Sequence, residues 1–214
     1  MSAKFHLILE RGANIMKRST SVVLPFVILL MGLGGCAGIG TGPVWTTLLD
    51  GDKGLENFNR AGEANWTAVD GVIQATQSPG GSSHLVSKNS YKDFILRVEF
   101  WTSDDGNSGV HMRCEDPSNL SSSSCYEVNI YDQREDQTYS TGAIVNFAPV
   151  YDPMPKAGGK WNTYDITVKG TRLTVILNGV RTAEVDDGKL SSGPIALQYA
   201  AGAVKFRKVQ IKPL

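Results

Sequence analysis

Three short segments of the chain alternate apolar and polar residues, and each predicts a β-strand with one chemically rich face. The segments are 94–101 (FILRVEFW), 109–115 (GVHMRCE) and 126–132 (YEVNIYD). Successive side chains of a strand point to opposite faces. One face should therefore be a core, formed by Phe94, Leu96, Val98, Phe100, Val110, Met112, Tyr126, Val128 and Ile130. The other should collect Arg97, Glu99, Trp101, His111, Arg113, Glu127, Asn129 and Tyr131. Such a mixture of carboxylates, guanidiniums, an imidazole and aromatic rings predicts a site for a polar ligand.

Four residues of this polar face are candidate catalytic groups. Glu127 and Glu99 are expected on neighbouring strands, and two carboxylates that face one cleft suit acid–base or nucleophilic sugar chemistry. His111 could carry a proton at neutral pH. Arg113 could hold a pair of sugar hydroxyls or stabilise an oxyanion through its rigid fork of N–H donors. The alternative is a structural ladder in which arginines neutralise the glutamates across the strands.

A second set of residues is expected to bind substrate. It comprises Arg97, Trp101, Asn107, Asn129, Tyr131, Asp132 and Gln198. Trp101 and Tyr131 offer flat apolar faces that suit stacking against a pyranose ring, although either could instead cover a sheet edge. Asp132 ends its strand, where it either caps a loop or joins the site from the rim, and a calcium role is weakly indicated. Two alanines share the phase of Gln198 and would leave room for a ligand beside it.

The N-terminal part of the chain has the features of a secretory signal. Lys17 and Arg18 precede an apolar run at 22–33, and Leu-Gly-Gly leads directly into Cys36. A charged region, a short apolar region and small residues before the cleavage point are typical of such signals. The cysteine resembles that of a bacterial lipobox, so we expect a lipid anchor there and a location at the cell envelope. Ala37 in the next position favours the outer membrane. A plain signal peptide with a chance cysteine is the alternative.

These features divide the chain into a signal peptide at 1–35, a lipid tether at 36–43 and one domain at 44–214. Met16 opens a complete signal, so residues 1–15 can be an over-extended start. The domain is long enough to bury a core by itself, and we expect a monomer. The sequence holds 21 basic and 21 acidic residues without a basic stripe, so nucleic acid is not an expected partner.

Two cysteines remain in the domain. In an oxidising compartment Cys114 and Cys125 predict one disulfide that closes the polar loop 115–124. The two lie in opposite strand phases, so a bulge or a loop residue must correct the alternation. A metal pair is the competing interpretation, but the domain has only His84 and His111 to complete a zinc site, so we assign no residue as a metal ligand.

The rest of the domain predicts strands and turns. Asp70-Gly71 and Asn178-Gly179 separate pairs of short apolar segments, as the two-residue turns of β-hairpins do. No helix-length window after residue 40 shows an apolar stripe at helical spacing. About a dozen short strands in one domain predict an all-β, two-sheet antiparallel sandwich. The polar-face residues would line the concave face of one of its sheets.

A series of short motifs, in order and spacing, resembles one known family along almost the whole domain. The motifs are Leu48-Leu49-Asp50-Gly51, Trp66, Val69-Asp70-Gly71, Tyr91-x-Asp93-Phe94, Asn107-Ser108-Gly109-Val110, Arg113, Tyr126-Glu127, Asp132, Gly142-Ala143-Ile144, Lys160-Trp161-Asn162, Leu177-Asn178-Gly179, Gly193-x-Ile195-x-Leu197-Gln198 and Phe206-Arg207. Together they resemble the bacterial 3-keto-disaccharide hydrolase domain, which implies a concanavalin-like jelly roll. The chain departs from that family at Asn129, at Val145 and after Gln198, where the family usually has a His-Gly pair.

The resemblance implies a hydrolase, or a lyase/hydratase, that cleaves 3-keto-glycosides. Glu127 would be the base, His111 its rival and Arg113 the oxyanion stabiliser. A divalent metal could assist, and a separate sugar 3-dehydrogenase would supply the oxidised substrate. A non-catalytic carbohydrate-binding lipoprotein is the first alternative. A glucanase-like hydrolase that uses Glu99 and Glu127 as paired carboxylates is the second.

Overall fold

The structure is a computed structural model that describes residues 42–214. The expected signal peptide, the candidate lipidation site Cys36 and most of the tether therefore lie outside the described residues. Within residues 42–214, no helix is long and apolar enough to cross a membrane.

The described residues form thirteen strands and two short 3-10 helices. The strands are β1 (Thr46–Asp50), β2 (Phe58–Ala61), β3 (Thr67–Val69), β4 (Val72–Ala75), β5 (Ser83–Tyr91), β6 (Phe94–Thr102), β7 (Asn107–Met112), β8 (Tyr126–Tyr131), β9 (Trp161–Lys169), β10 (Arg172–Leu177), β11 (Val180–Asp186), β12 (Gly193–Ala201) and β13 (Val204–Pro213). The 3-10 helices are Leu55–Asn57 and Gln137–Tyr139.

The strands make two antiparallel sheets, so the predicted all-β sandwich is confirmed. The eight-stranded sheet has the order β11-β10-β9-β6-β13-β4-β3, and β1 pairs with β13 beside this path. The five-stranded sheet has the order β2-β5-β12-β7-β8. Non-consecutive neighbours such as β5, β12 and β7 show that the chain crosses between the sheets repeatedly.

The apolar phases of β6, β7 and β8 form the core between the sheets, as the alternation predicts. All nine predicted core residues have no exposed surface. However, β6 belongs to the eight-stranded sheet, whereas β7 and β8 belong to the five-stranded sheet. Since the apolar faces of the two sheets point toward each other, their polar faces point in opposite directions. The predicted single polar face is therefore wrong, and it separates into two surfaces on opposite sides of the sandwich.

The predicted hairpin turns are confirmed. Asp70 and Gly71 have φ values of 52° and 72°, and Asn178 and Gly179 have 51° and 84°. Positive φ at both central residues is what a type I′ turn requires, and its twist matches that of the flanking strands. These turns join β3 to β4 and β10 to β11.

The predicted disulfide between Cys114 and Cys125 is present and closes the loop 115–124. Cys114 lies beyond the end of β7, after Arg113, whose φ is 49°. Cys125 lies just before β8 begins. Because both cysteines lie outside the strands, their side chains do not follow the alternation of β7 and β8. The left-handed backbone at Arg113 changes the direction of the chain before Cys114, so the two side chains can meet.

Candidate functional site

The polar surface of the five-stranded sheet carries two neighbouring rows of side chains. Paired positions place His84, Gln198, Gly109 and Asn129 in one row. They place Val86, Ala196, His111 and Glu127 in the next. Each row crosses β5, β12, β7 and β8 in that order. The small residues Gly109 and Ala196 stand between the longer polar side chains, so those side chains can approach one another.

Glu127 and His111 form a close pair at the centre of this surface. Their Oε1 and Nε2 atoms are 3.6 Å apart, and the side chains are 12% and 0% exposed. His84 approaches His111 from the other side of β12, with ring centroids 5.0 Å apart. This approach is possible because Ala196, the β12 partner of His111, has a short side chain.

Gly109 lies directly beside the Glu127 and Gln198 side chains. An added Cβ would lie 3.1 Å from Glu127 Oε1 and 3.3 Å from Gln198 Oε1. The missing side chain therefore lets a carboxylate and an amide converge over β7.

Several polar atoms of this cluster are buried without a hydrogen-bond partner. They are His84 Nε2, both ring nitrogens of His111 and Gln198 Oε1. Among residues 42–214, these are four of the seven buried side-chain nitrogen and oxygen atoms without a partner. Buried polar groups in folded proteins are nearly always satisfied. Such a concentration calls for an explanation, and hydrogen bonds to a bound ligand would supply one.

The histidine pair has a defined electrostatic state. Burial, followed by the nearby charge of His111, lowers the pKa of His84 to about 3. His84 is therefore a neutral imidazole at physiological pH, with one nitrogen that donates and one that accepts. Sequence reasoning missed this residue because β5 is buried along five consecutive positions and shows no alternation.

The disulfide lies directly beside His111. A ring nitrogen of His111 and the Sγ atoms of Cys114 and Cys125 lie within 4.8 Å of one another, and within the described part of the chain only this trio has the spacing of metal ligands. Both sulfurs are oxidised, so neither is the thiolate that a metal would bind. This trio therefore does not fit a metal ion, and we assign no chemistry to one.

One cleft reaches the cluster at His84. It has a volume of about 210 Å³ and lies between the end of β2 and the disulfide loop. Its lining residues are Ala61, Gly62, Ser82, His84, Pro117, Ser118, Asn119 and Leu120. His84, only 5% exposed, thus connects the buried cluster to open space.

Three predicted site residues lie on the opposite side of the sandwich, on β6. Glu99 accepts from Arg207 Nε at 2.6 Å, and Arg97 Nε donates to Asp165 at 2.7 Å. Lys205 Nζ lies over the Trp101 ring, 4.6 Å from the ring centroid. The structural-ladder alternative therefore holds here, although the partners are not those predicted. A glucanase-like use of Glu99 with Glu127 is wrong, because the core separates the two carboxylates.

The predicted position of Arg113 beside Glu127 is also wrong. Its guanidinium is buried and donates to the carbonyl oxygens of Lys92, Gly170 and Leu190, as well as to Asp93. Burial lowers the pKa of Arg113, an effect that Asp93 opposes. The strand phase does not continue through the left-handed residue, so this side chain ties loops together and does not face Glu127.

The remaining candidates divide between loop support and the far end of the sheet. Asp132 accepts from Thr141 Oγ1 and from the backbone N–H groups of Ala157 and Gly158, so the loop-capping alternative is correct. Asn129 is buried and donates to the Tyr139 carbonyl. Asn107 and Tyr131, the final two, are directly paired at the end of β7 and β8.

Asn107 and Tyr131 stand on the same surface as the central pair but away from it. Four residues along each strand separate them from His111 and Glu127, a distance of about 13 Å. The structure therefore brings together only Glu127, His111 and Gln198 from the predicted set, and adds His84 to them.

Comparisons with known proteins agree with this architecture. The family model of the 3-keto-alpha-glucoside-1,2-lyase-like domain matches residues 44–212. A candidate glycosyl hydrolase from Parabacteroides distasonis is 28% identical, with a TM-score of 0.66 over 80% of this chain and 100% of its own. The carbohydrate-binding module CBM66 from Bacillus subtilis is 18% identical, with a TM-score of 0.53 over 78% of this chain and 94% of its own.

A third structure supports the jelly-roll fold. A Bacillus subtilis protein of unknown function with a galectin-like fold is 12% identical, with a TM-score of 0.59 over 80% of this chain and 96% of its own. No curated protein matches the chain. At 18% and 12% identity, the two Bacillus structures show the fold alone. The family model covers almost all of the described residues, and the chain belongs to the family of 3-keto-alpha-glucoside-1,2-lyase-like domains.

Proposed function

We propose that this domain cleaves the glycosidic bond of a 3-keto-glycoside. The observation that carries the proposal is the buried pair of Glu127 and His111, set among polar atoms without partners in a chain of this family. The name of the similar Parabacteroides distasonis structure, a candidate glycosyl hydrolase, supports a carbohydrate ligand.

The chemistry begins at C2 of the sugar. A ketone at C3 acidifies the C2 proton, and a base that removes this proton leaves its electron pair in an enolate. The enolate then expels the oxygen at C1, and water adds to the resulting double bond in a later step. Glu127 accepts the proton in this scheme. His111, 3.6 Å away, can pass a proton to the departing oxygen.

The developing enolate charge needs hydrogen-bond donors that do not depend on Arg113. Two groups of the cluster qualify. His84 is neutral and has a buried ring nitrogen without a partner, and a neutral imidazole can polarise a carbonyl. The side-chain amide of Gln198 can present its NH₂ group to the same region by rotation about its terminal bond. We therefore assign both as oxyanion donors.

The cellular setting is proposed from the sequence. Oxidation of the sugar at C3 would be the task of a separate dehydrogenase, so the domain itself needs no redox cofactor for the step described above. Lipid at Cys36 would hold the domain at the bacterial cell envelope, where its glycoside substrates would be encountered.

Solvent exchange at C2 tests the proposal. The purified protein is incubated in D₂O with a 3-keto-glucoside and, separately, with the parent glucoside. We expect deuterium at C2 and release of the aglycone from the keto-sugar only. Glu127→Gln should lower both by about 10²-fold or more. Glu99→Gln, which alters a carboxylate on the opposite sheet, is the matched control and should retain activity.

A non-catalytic carbohydrate-binding role is the second candidate, and the burial of the central pair favours it. Glu127 is only 12% exposed and His111 is fully buried, as in a rigid recognition surface. Binding of both sugars without exchange at C2 or release of the aglycone would establish this role in place of catalysis.

A further inference from the structure

The outer face of the eight-stranded sheet collects cations that are dispersed along the sequence. Its central strands β9, β6 and β13 are neighbours, and each directs alternate side chains away from the core. Six of these outward side chains are basic: Arg97, Lys169, Lys205, Arg207, Lys208 and Lys212. Two are acidic, Glu99 and Asp165, which leaves a net charge of +4 on the three strands. The whole chain, by contrast, has equal numbers of basic and acidic residues.

Three of the four tryptophans of the chain lie beside cations of this face. Trp101 and Trp161 are directly paired across β6 and β9. Lys205 Nζ is 4.6 Å from the ring centroid of Trp101, and Arg207 Cζ is 4.3 Å from that of Trp161. A ring face that is covered by a cation is not available for stacking against a sugar. Tryptophan combined with lysine and arginine is instead the composition that proteins place at a membrane–water interface.

The third tryptophan, Trp45, lies where the expected tether enters the domain. Arg97 Cζ and Lys212 Nζ are 5.6 Å and 5.8 Å from its ring centroid. Val44, just before it, is an exposed apolar residue. Because Cys36 precedes Trp45 by only nine positions in the sequence, a lipid on that cysteine would be attached no more than about 30 Å away. The lipidation proposed above would therefore keep this face within reach of a bilayer.

Two cations of this face are available to an anionic ligand. Among residues 42–214, Lys205 and Lys212 make no ion pair, whereas Arg97 and Arg207 each pair with a carboxylate. Both ammonium groups lie over indole rings, which holds them on the outer surface of the sheet. An ammonium group without a carboxylate partner can bind a phosphate, and phosphate is the anion that a phospholipid surface presents.

We propose that the outer face of the eight-stranded sheet docks on an anionic phospholipid surface. The residues that would contact the lipid are Trp45, Trp101, Trp161, Lys205 and Lys212. The indole rings would lie at the level of the headgroups, and the lysines would bind the phosphates. The charges and the tryptophans carry this proposal, and only the tether length rests on the proposed lipidation. The central pair of the five-stranded sheet would then face away from the membrane, because the polar faces of the two sheets point in opposite directions.

Quenching of tryptophan fluorescence tests the docking. The full chain is exported by a Gram-negative host, purified in mild detergent and reconstituted into vesicles whose phosphatidylcholine carries bromine on the acyl chains near the headgroup. We expect quenching when phosphatidylglycerol is present, and a loss of at least half of this quenching in Lys205→Glu and in Lys212→Glu. Lys88→Glu, on an exposed position of β5 in the other sheet, is the matched control and should behave as wild type. Absence of quenching in wild type, or equal quenching in all variants, would overturn the proposal.

A second measurement separates the face from the anchor. If mass spectrometry finds no lipid at Cys36, the anchor is wrong, and the same protein is sedimented with vesicles instead. The double variant Lys205→Glu with Lys212→Glu should then bind phosphatidylglycerol vesicles about tenfold or more weakly than wild type. Added salt should weaken wild-type binding, because it screens exposed charges.

Two results of this measurement would overturn the proposal. One is sedimentation that does not depend on phosphatidylglycerol. The other is binding to an anionic polysaccharide, such as polygalacturonate, without binding to vesicles, which would assign the face to a polymer in place of a membrane. None of the substitutions alters the central pair of the five-stranded sheet, so these outcomes do not depend on whether the domain turns over a keto-sugar.

Discussion

Replacing His84 with asparagine should make the folded domain less sensitive to acid. Burial, and then the charge of the neighbouring His111, lowers the pKa of His84 from 6.5 to about 3. The imidazole therefore stays neutral in the folded domain, whereas in the unfolded chain it takes up a proton as the pH falls below about 6.5. The unfolded state binds more protons across this interval, so the free energy of unfolding falls as the pH decreases.

The size of the change in unfolding free energy follows from the difference in proton binding by His84 between the folded and unfolded states. Between pH 7.5 and pH 5 the wild-type domain should lose about 2 kcal/mol of stability through His84. For a domain of this size that corresponds to a decrease in Tm of about 4–8 °C. Asparagine keeps a polar side chain of smaller size but has no titration in this range.

Urea unfolding at several pH values measures the difference. At pH 7.5 the variant should be less stable than wild type, because it loses buried contacts with His111. The gap between the two proteins should then narrow by about 2 kcal/mol as the pH falls to 5. His84→Gln, a second neutral replacement, should give the same narrowing. Parallel stability curves for all three proteins would refute the conclusion that His84 is held neutral by burial.

Four further outcomes are expected. Arg113→Ala should destabilise the domain by about 3 kcal/mol or more in urea unfolding, because buried carbonyls and Asp93 lose their donor; a loss of activity at unchanged stability would return Arg113 to the site. Protein purified without reductant should show no free thiol at Cys114 and Cys125 on denaturation, and reduction should cost about 2–3 kcal/mol in a chain-entropy model. Trp101→Ala should leave turnover and sugar affinity unchanged, and a marked decrease in either would place the ligand on the eight-stranded sheet. Cys36→Ala should move the protein from the membrane fraction to the soluble fraction, and retention at the membrane would contradict a lipid anchor at that residue.

The position of Glu127 bears on the choice between catalysis and binding alone. Its carboxylate is 3.6 Å from His111 and largely shielded from water. Shielding strengthens electrostatic interactions with a bound substrate, which favours proton transfer at this pair. The same shielding would suit a binding surface, so only turnover distinguishes the two roles.

Local chemistry along the chain determined much of the fold. Strict alternation in β6, β7 and β8 identified nine core residues correctly, because the side chains of a strand must point to opposite faces. Asx-Gly pairs identified two hairpins, because few other residues tolerate positive φ at both central positions of the turn. The disulfide could be predicted because the domain has only two cysteines, which can pair only with each other. Each of these signals is short in sequence and needs no knowledge of distant partners.

The candidate site depended on contacts that the sequence pattern does not contain. Alternation shows that Glu99 and Glu127 share the polar phase of their own strands, but the sheet to which each strand belongs is set by pairing between distant segments. Arg113 has a left-handed backbone conformation, so the alternation of β7 does not continue to its side chain. The guanidinium is therefore buried and binds loop carbonyls, such as that of Leu190, and does not face the site where it was predicted. His84 could not be identified from the sequence because β5 is buried along much of its length and shows no alternation. Its ring lies near that of His111 only because β12 pairs with β5 on one side and with β7 on the other. The sequence by itself therefore determined the faces of the strands, and the tertiary structure alone decided which faces meet.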